Sequence, residues 1–131
     1  MPGYAGLRAR LENDLLGRIA PGTFQFVPVQ TRIDRPSKPT LMLKLSSVAR
    51  HPGAQSVLAP TFVLTVISEK TDPGQADEHL DELLDILLAP IQAIRWVAFR
   101  GADKVAFQTK YTAYDIELEA LTAIKKPTQE A

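Results

Sequence analysis

The sequence predicts an α+β domain: a single antiparallel or mixed β-sheet with two helices packed on one face, in the order α-β-β-β-α-β-β-β. Three observations predict it. Segments 2–19 and 71–89 carry apolar residues at helical spacing. The stretches after each of them hold short β-rich runs separated by Pro, Gly and Asp. These runs come in groups of three rather than alternating singly with helices, which argues against a βαβ arrangement. The chain has 131 residues, a length for one domain with one core. That domain is assigned to 1–124, with 125–131 (KKPTQEA) as a flexible tail, because the tail has no core-facing residue.

In the first helix, Leu7, Leu11, Leu15 and Ile19 are spaced by four, and Ala20-Pro21-Gly22 ends it. Residues 23–29 (TFQFVPV) read as a strand at an edge, or one that stops early, because Pro28 removes a ladder donor. Residues 30–39 form a polar, basic, proline-stiffened loop. In strand 40–49, Leu41, Leu43 and Leu45 point to one face, with Met42, Lys44 and Ser46 on the other. Strand 61–69 is apolar on both faces apart from Thr65 and Ser68, which suggests a central position. The two strands make an antiparallel hairpin whose tip is 50–58.

Segment 71–89 (TDPGQADEHLDELLDILLA) gives the clearest helix. Asp72 is placed to cap it, with Pro73 at the first helical position. Ala76, Leu80, Leu83, Leu84, Leu87 and Leu88 form an apolar stripe, with Asp77, Glu78, Asp81, Glu82 and Asp85 opposite, and Pro90 is expected to stop the helix. Residues 94–100 then read as a strand with Trp96 and Phe99 on opposite faces, 101–103 as a turn, and 105–109 as the returning strand. Residues 114–121 alternate cleanly, with Tyr114, Ile116, Leu118 and Ala120 inward.

Composition narrows the function. Fifteen basic residues balance fifteen acidic ones, so no global field marks a nucleic-acid binder. With no cysteine, disulfides, thiolate zinc sites and cysteine nucleophiles are excluded. No apolar run approaches the roughly 18 residues of a spanning helix, and the first residues lack a signal-peptide pattern, so synthesis in a cytoplasm without membrane insertion is expected. The two histidines, His51 and His79, stand outside any metal-ligand spacing. The elbow motif of serine hydrolases and the glycine-rich phosphate loops do not occur. No catalytic residue, metal site or cofactor is expected. The carboxylates of 71–89 read as a solvated helix face or a subunit contact rather than a metal cluster. Arg95-Trp96 and Phe99-Arg100 read as strand packing rather than a base-stacking platform. The sheet holds more apolar surface than two helices cover, which points to self-association.

The ordered features resemble one family, the tail terminator proteins of bacteriophages with long, non-contractile tails (the siphophage type, in high-GC hosts). They are a leading helix (LRARLENDLL), a basic proline-rich loop (RIDRPSKPTLMLKL), an ARHPGA segment before TFVLTVISE, the TDPGQADEHLDELLDILL helix, the Arg95-Trp96 pair and the YTAYDIELEAL strand. The resemblance runs from about Leu7 to Leu121. It implies a structural protein of the virion, located at the head-proximal end of the tail. Its partners would be itself in a six-subunit ring, the major tail tube protein, and the head-completion or connector protein. The ring would end tube polymerisation, and duplex DNA would pass through its lumen unread. Such a ring needs one patch to meet a different patch on the neighbour.

Two sets of residues are candidates on that reading. Arg32, Arg35, Lys38, Arg50 and His51, on the 30–39 loop and the 50–58 tip, are placed toward tube or connector. Asp77, Glu78, Asp81, Glu82 and Asp85 are placed at a subunit interface, opposite the basic N-terminal half. Two alternatives stay open. One is another neck or tail-completion protein of similar layout. The other is a small ligand-binding or thioesterase-like α+β domain, for which only Asp115, His51 and Tyr114 offer polar groups.

Overall fold

A computed structural model of the protein describes residues 4–27, 38–50, 57–70, 72–107, 111–120 and 124–125. The element order is α1 (Tyr4–Leu16), β1 (Gln25–Val27), β2 (Thr40–Arg50), β3 (Val57–Ile67), α2 (Pro73–Ala93), β4 (Val97–Phe107), β5 (Tyr111–Ala120) and β6 (Ile124–Lys125). This is the predicted α+β class. The strands form one mixed sheet in the order β1-β2-β3-β5-β4, with β6 also on β3. Among the described residues, only the β1–β2 pair is parallel. The short β1 sits at an edge, as Pro28 suggested.

Side-chain alternation assigns the two faces. Leu41 and Leu43 of β2, Phe62, Leu64 and Val66 of β3, and Ile116 and Leu118 of β5 lie on one face. There they pack with Leu7, Leu11 and Leu15 of α1 and Leu80, Leu83, Leu87 and Ile91 of α2. Both helices therefore cover the same side. On the other side, Met42, Ile67, Tyr111 and Ala113 form a second, smaller buried cluster. Part of the apolar surplus expected for partners is thus buried within the chain itself.

α2 begins as its sequence dictates. Asp72 Oδ2 accepts the Gln75 N–H at 3.0 Å, and proline opens the first turn. Its end differs from expectation: Pro90 lies inside the helix, which continues to Ala93. An interior proline costs about 3 kcal/mol. Beyond it, however, Ile91 and Ile94 are buried, and each such side chain contributes roughly 1.5–3 kcal/mol. Burial outweighs the lost hydrogen bond. α1 is shorter than expected, ending at Leu16.

The region after α2 corrects three expectations. Residues 94–96 are not strand. Ile94 caps the helix and Trp96 stands in the turn before β4. Trp96 and Phe99 therefore do not share a strand. Gly101, Ala102 and Asp103 make no turn; they lie within β4, paired with Glu117, Ile116 and Asp115. The register shifts by one between Phe99 and Gly101, so Arg100 is a bulge. Gly and Asp suggested a reversal, but an isolated glycine in a strand also marks a bulge, and here the flanking residues keep pairing. β2 carries a matching irregularity at Ser46, between Leu45 and Ser47. The β2–β3 tip is shorter than expected, since pairing runs from Arg50 to Leu58. β6 draws Lys125, the first residue of the expected tail, against Val57; residues 126–131 lie outside the described residues.

Candidate interaction surfaces

The acidic row of α2 follows from its helical spacing, and the structure divides it. Asp77 and Asp81, one turn apart, both reach Lys104 on the facing strand β4. The Lys104 Nζ lies 2.6 Å from Asp77 Oδ1 and 3.1 Å from Asp81 Oδ1. The Tyr114 hydroxyl of β5 donates to Asp81 Oδ1 at 3.0 Å. These two carboxylates fasten α2 to the sheet within one chain. Glu78, Glu82 and Asp85 are exposed, without an ion-pair partner among the described residues.

Hydrogen bonds to Asp77 and then Asp81 raise Lys104 above its ordinary value. The bonds from Lys104 and then Tyr114 hold Asp81 below the usual carboxylate value of 3.8. Tyr114 is raised, chiefly by burial and next by its bond to Asp81. A lowered carboxylate stabilises the fold above its unfolded value, and that contribution is lost as pH falls through the lower folded value. For raised Lys104 it is complete below 10.5 and is lost only as pH rises through the folded value. Lys104→Met is therefore expected to flatten the fall of Tm with acid below about pH 4. Melting curves of both proteins down to strongly acidic pH check this; parallel acid limbs would show that the bridge contributes nothing.

At the junction of β3 and α2, His79 Nδ1 lies 3.0 Å from the buried Ser68 Oγ and 3.4 Å from Glu69 Oε1. The Lys70 N–H donates to Ser68 Oγ at 3.1 Å. The sequence reading did not pair these residues, and only their nearness to the segment joining β3 to α2 could have signalled it. The composition is that of a serine–histidine–acid set, but the geometry is not. A relay needs nucleophile and carboxylate on different ring nitrogens, and here both face Nδ1. The trio links the end of β3 to the first turns of α2.

Trp96 makes a comparable link for α1. Its Nε1–H donates to Asp14 Oδ2 at 2.8 Å, and the Arg10 guanidinium stands 4.6 Å from the ring centroid. The Trp96 ring considered for stacking on bases is thus engaged inside the chain.

Among the basic candidates, Lys38 is half-buried and its carbonyl accepts from Thr40 Oγ1. Arg50 ends β2. Its side chain, like Arg32, Arg35 and His51, lies outside the described residues. Asp115, considered for a polar site, accepts from Thr65 Oγ1 at 2.7 Å on the helix-free face. No group of three or more metal-ligating side chains occurs among the described residues. Among them, too, no helix is long and apolar enough to cross a membrane.

The two sides of the sheet end differently. β1 pairs only with Thr40, Leu41 and Met42. From Leu43 onward the outer side of β2 has no partner strand among the described residues, and Lys44 through Val48 are exposed. β4 forms the opposite edge along its whole length. Among the described residues, three of the five large exposed apolar side chains lie on these edges: Leu45, Val48 and Phe99. No protein-family model matches the chain, and neither does any curated protein.

Proposed function

We propose that this chain is a non-enzymatic structural protein of a bacteriophage virion, a subunit of a ring that caps the head-proximal end of the tail tube. In this reading it ends tube polymerisation and offers the joining surface to the head connector. The observation that carries it is the pairing of the α-β-β-β-α-β-β-β order with two unlike sheet edges, on β2 beyond Met42 and on β4, that have no partner strand among the described residues. A subunit with two different patches can bind neighbours head to tail and close a ring. The basic 30–39 loop and the 50–58 tip are assigned to tube or connector by their charge and proline content.

Electron microscopy of the purified protein in negative stain, alone and added to growing tail tubes, tests this. Annular particles and tubes of fixed length with a terminal ring are expected. A compact dimer without a hole, and tubes that keep growing, would overturn it. Arg32→Glu, Arg35→Glu and Arg50→Glu together should leave rings intact but abolish joining to heads.

A further inference from the structure

Once Lys104 has taken Asp77 and Asp81, the outer side of α2 keeps a second acidic row. Glu78, Glu82 and Asp85 recur at steps of four and three, so they line the side of the helix opposite the buried Ala76, Leu80, Leu83 and Leu87. All three are exposed. Like charges one turn apart repel, so the row is unfavourable in the free chain and is relieved by cations brought to it. Ile86 lies one turn beyond Glu82 and next to Asp85. At 45% it is the most exposed large apolar side chain among the described residues.

A surface of the opposite kind lies where α1 meets the end of α2. The Arg10 guanidinium stands 4.6 Å from the centroid of the Trp96 ring, which Asp14 holds through Nε1–H. Arg18 donates from its guanidinium to the Asp14 carbonyl at 3.2 Å, and Arg95 adjoins Trp96 in the chain. Arg10, Arg18 and Arg95 are exposed, without an ion-pair partner among the described residues. A guanidinium lying on a ring presents its other face flat and weakly hydrated, a surface that accepts an aliphatic side chain.

We infer that the Glu78, Glu82 and Asp85 row of one copy of this chain docks on the arginines around Trp96 of a second copy, with Ile86 set against the Arg10–Trp96 stack. The two surfaces match in sign and in number of charges, and each has an apolar element beside its charges. Exposed ion pairs are individually weak. The charges therefore select which surfaces meet, while Ile86 on the stack forms the water-free centre. Asp77 and Asp81 take no part, and Arg95, from outside the basic N-terminal half, does. The inference rests on the self-association in the proposed function, but not on any tail or phage role.

Trp96 is the chain's only tryptophan, so its emission reads the contact directly. As protein concentration rises, the mass from light scattering and the Trp96 emission are expected to change together, and added salt should reverse both. Arg18→Glu with Arg95→Glu, and separately Glu82→Arg with Asp85→Arg, should each weaken association about tenfold or more. Mixing the two variants should restore it, because reversed charges again meet their opposites. Arg10 stays in place so that the ring keeps its packing. Ile86→Ser should weaken association while leaving Tm unchanged, which keeps the test open if a charge-reversed chain fails to fold.

Oligomers that survive the charge reversals and Ile86→Ser, or whose Trp96 emission stays that of the monomer, would overturn the contact while leaving a ring built otherwise. A mixture no stronger than its parts would overturn it as well. So would a wild type that stays monomeric at the highest soluble concentration, and tube length would then decide the capping role by itself. A mass of two chains, with the variants behaving as expected, would keep the contact and overturn the ring.

Discussion

Phe62→Ala is expected to lower Tm by about 10–20 °C, the largest effect of any single side-chain truncation in the sheet. Phe62 sits in β3 with no exposed surface. It pairs with Leu45 on one side and Leu118 on the other, beneath the helices. Truncation removes the ring from the centre of a two-layer fold, where no single element can move to fill the space. Phenylalanine-to-alanine changes at such sites cost about 3–5 kcal/mol, out of total stabilities of about 5–15 kcal/mol. Phe99→Ala is the control. Phe99 is 37% exposed on β4 in the same cross-strand row, and a partly exposed site leaves a smaller cavity. Urea midpoints of the monomeric proteins compare them. Equal losses would mean that the core is not centred on β3.

What was legible in the sequence was local. The Asp72-Pro73 start of α2 could be read because the cap and the proline lie within one turn of each other. The alternation of Tyr114, Ile116, Leu118 and Ala120 could be read because one wet face leaves a period of two. Its end at Ala93 could not, since what carries the helix past Pro90 is burial of Ile91 and Ile94 against distant residues. β4 was hidden for a different reason: Gly101 followed by Asp103 signals a turn and a bulge with the same letters.

The candidate surfaces divide the same way. The acidic row on α2 was visible as a row. That Lys104 takes Asp77 and Asp81 out of it was not, because the lysine arrives from a strand whose register is set by β5. The parallel pairing of β1 with β2 has no sequence signal either.

Trp96→Ala is expected to destabilise by about 3–5 kcal/mol, and the parts of that loss can be separated. Trp96 is nearly buried, at 8% exposure, and holds α1 through a partner 82 residues away. Trp96→Phe keeps most of the ring but removes the Nε1–H, so it isolates the bond to the Asp14 carboxylate. Bonds to charged groups contribute about 1.5–3 kcal/mol, and less here because water can reach Asp14. Arg10→Ala removes the guanidinium above the ring and should cost about 0.5–1 kcal/mol. In a double-mutant cycle, Trp96→Phe and Asp14→Ala should couple by about 1 kcal/mol; additivity within about 0.5 kcal/mol would show that the bond contributes nothing.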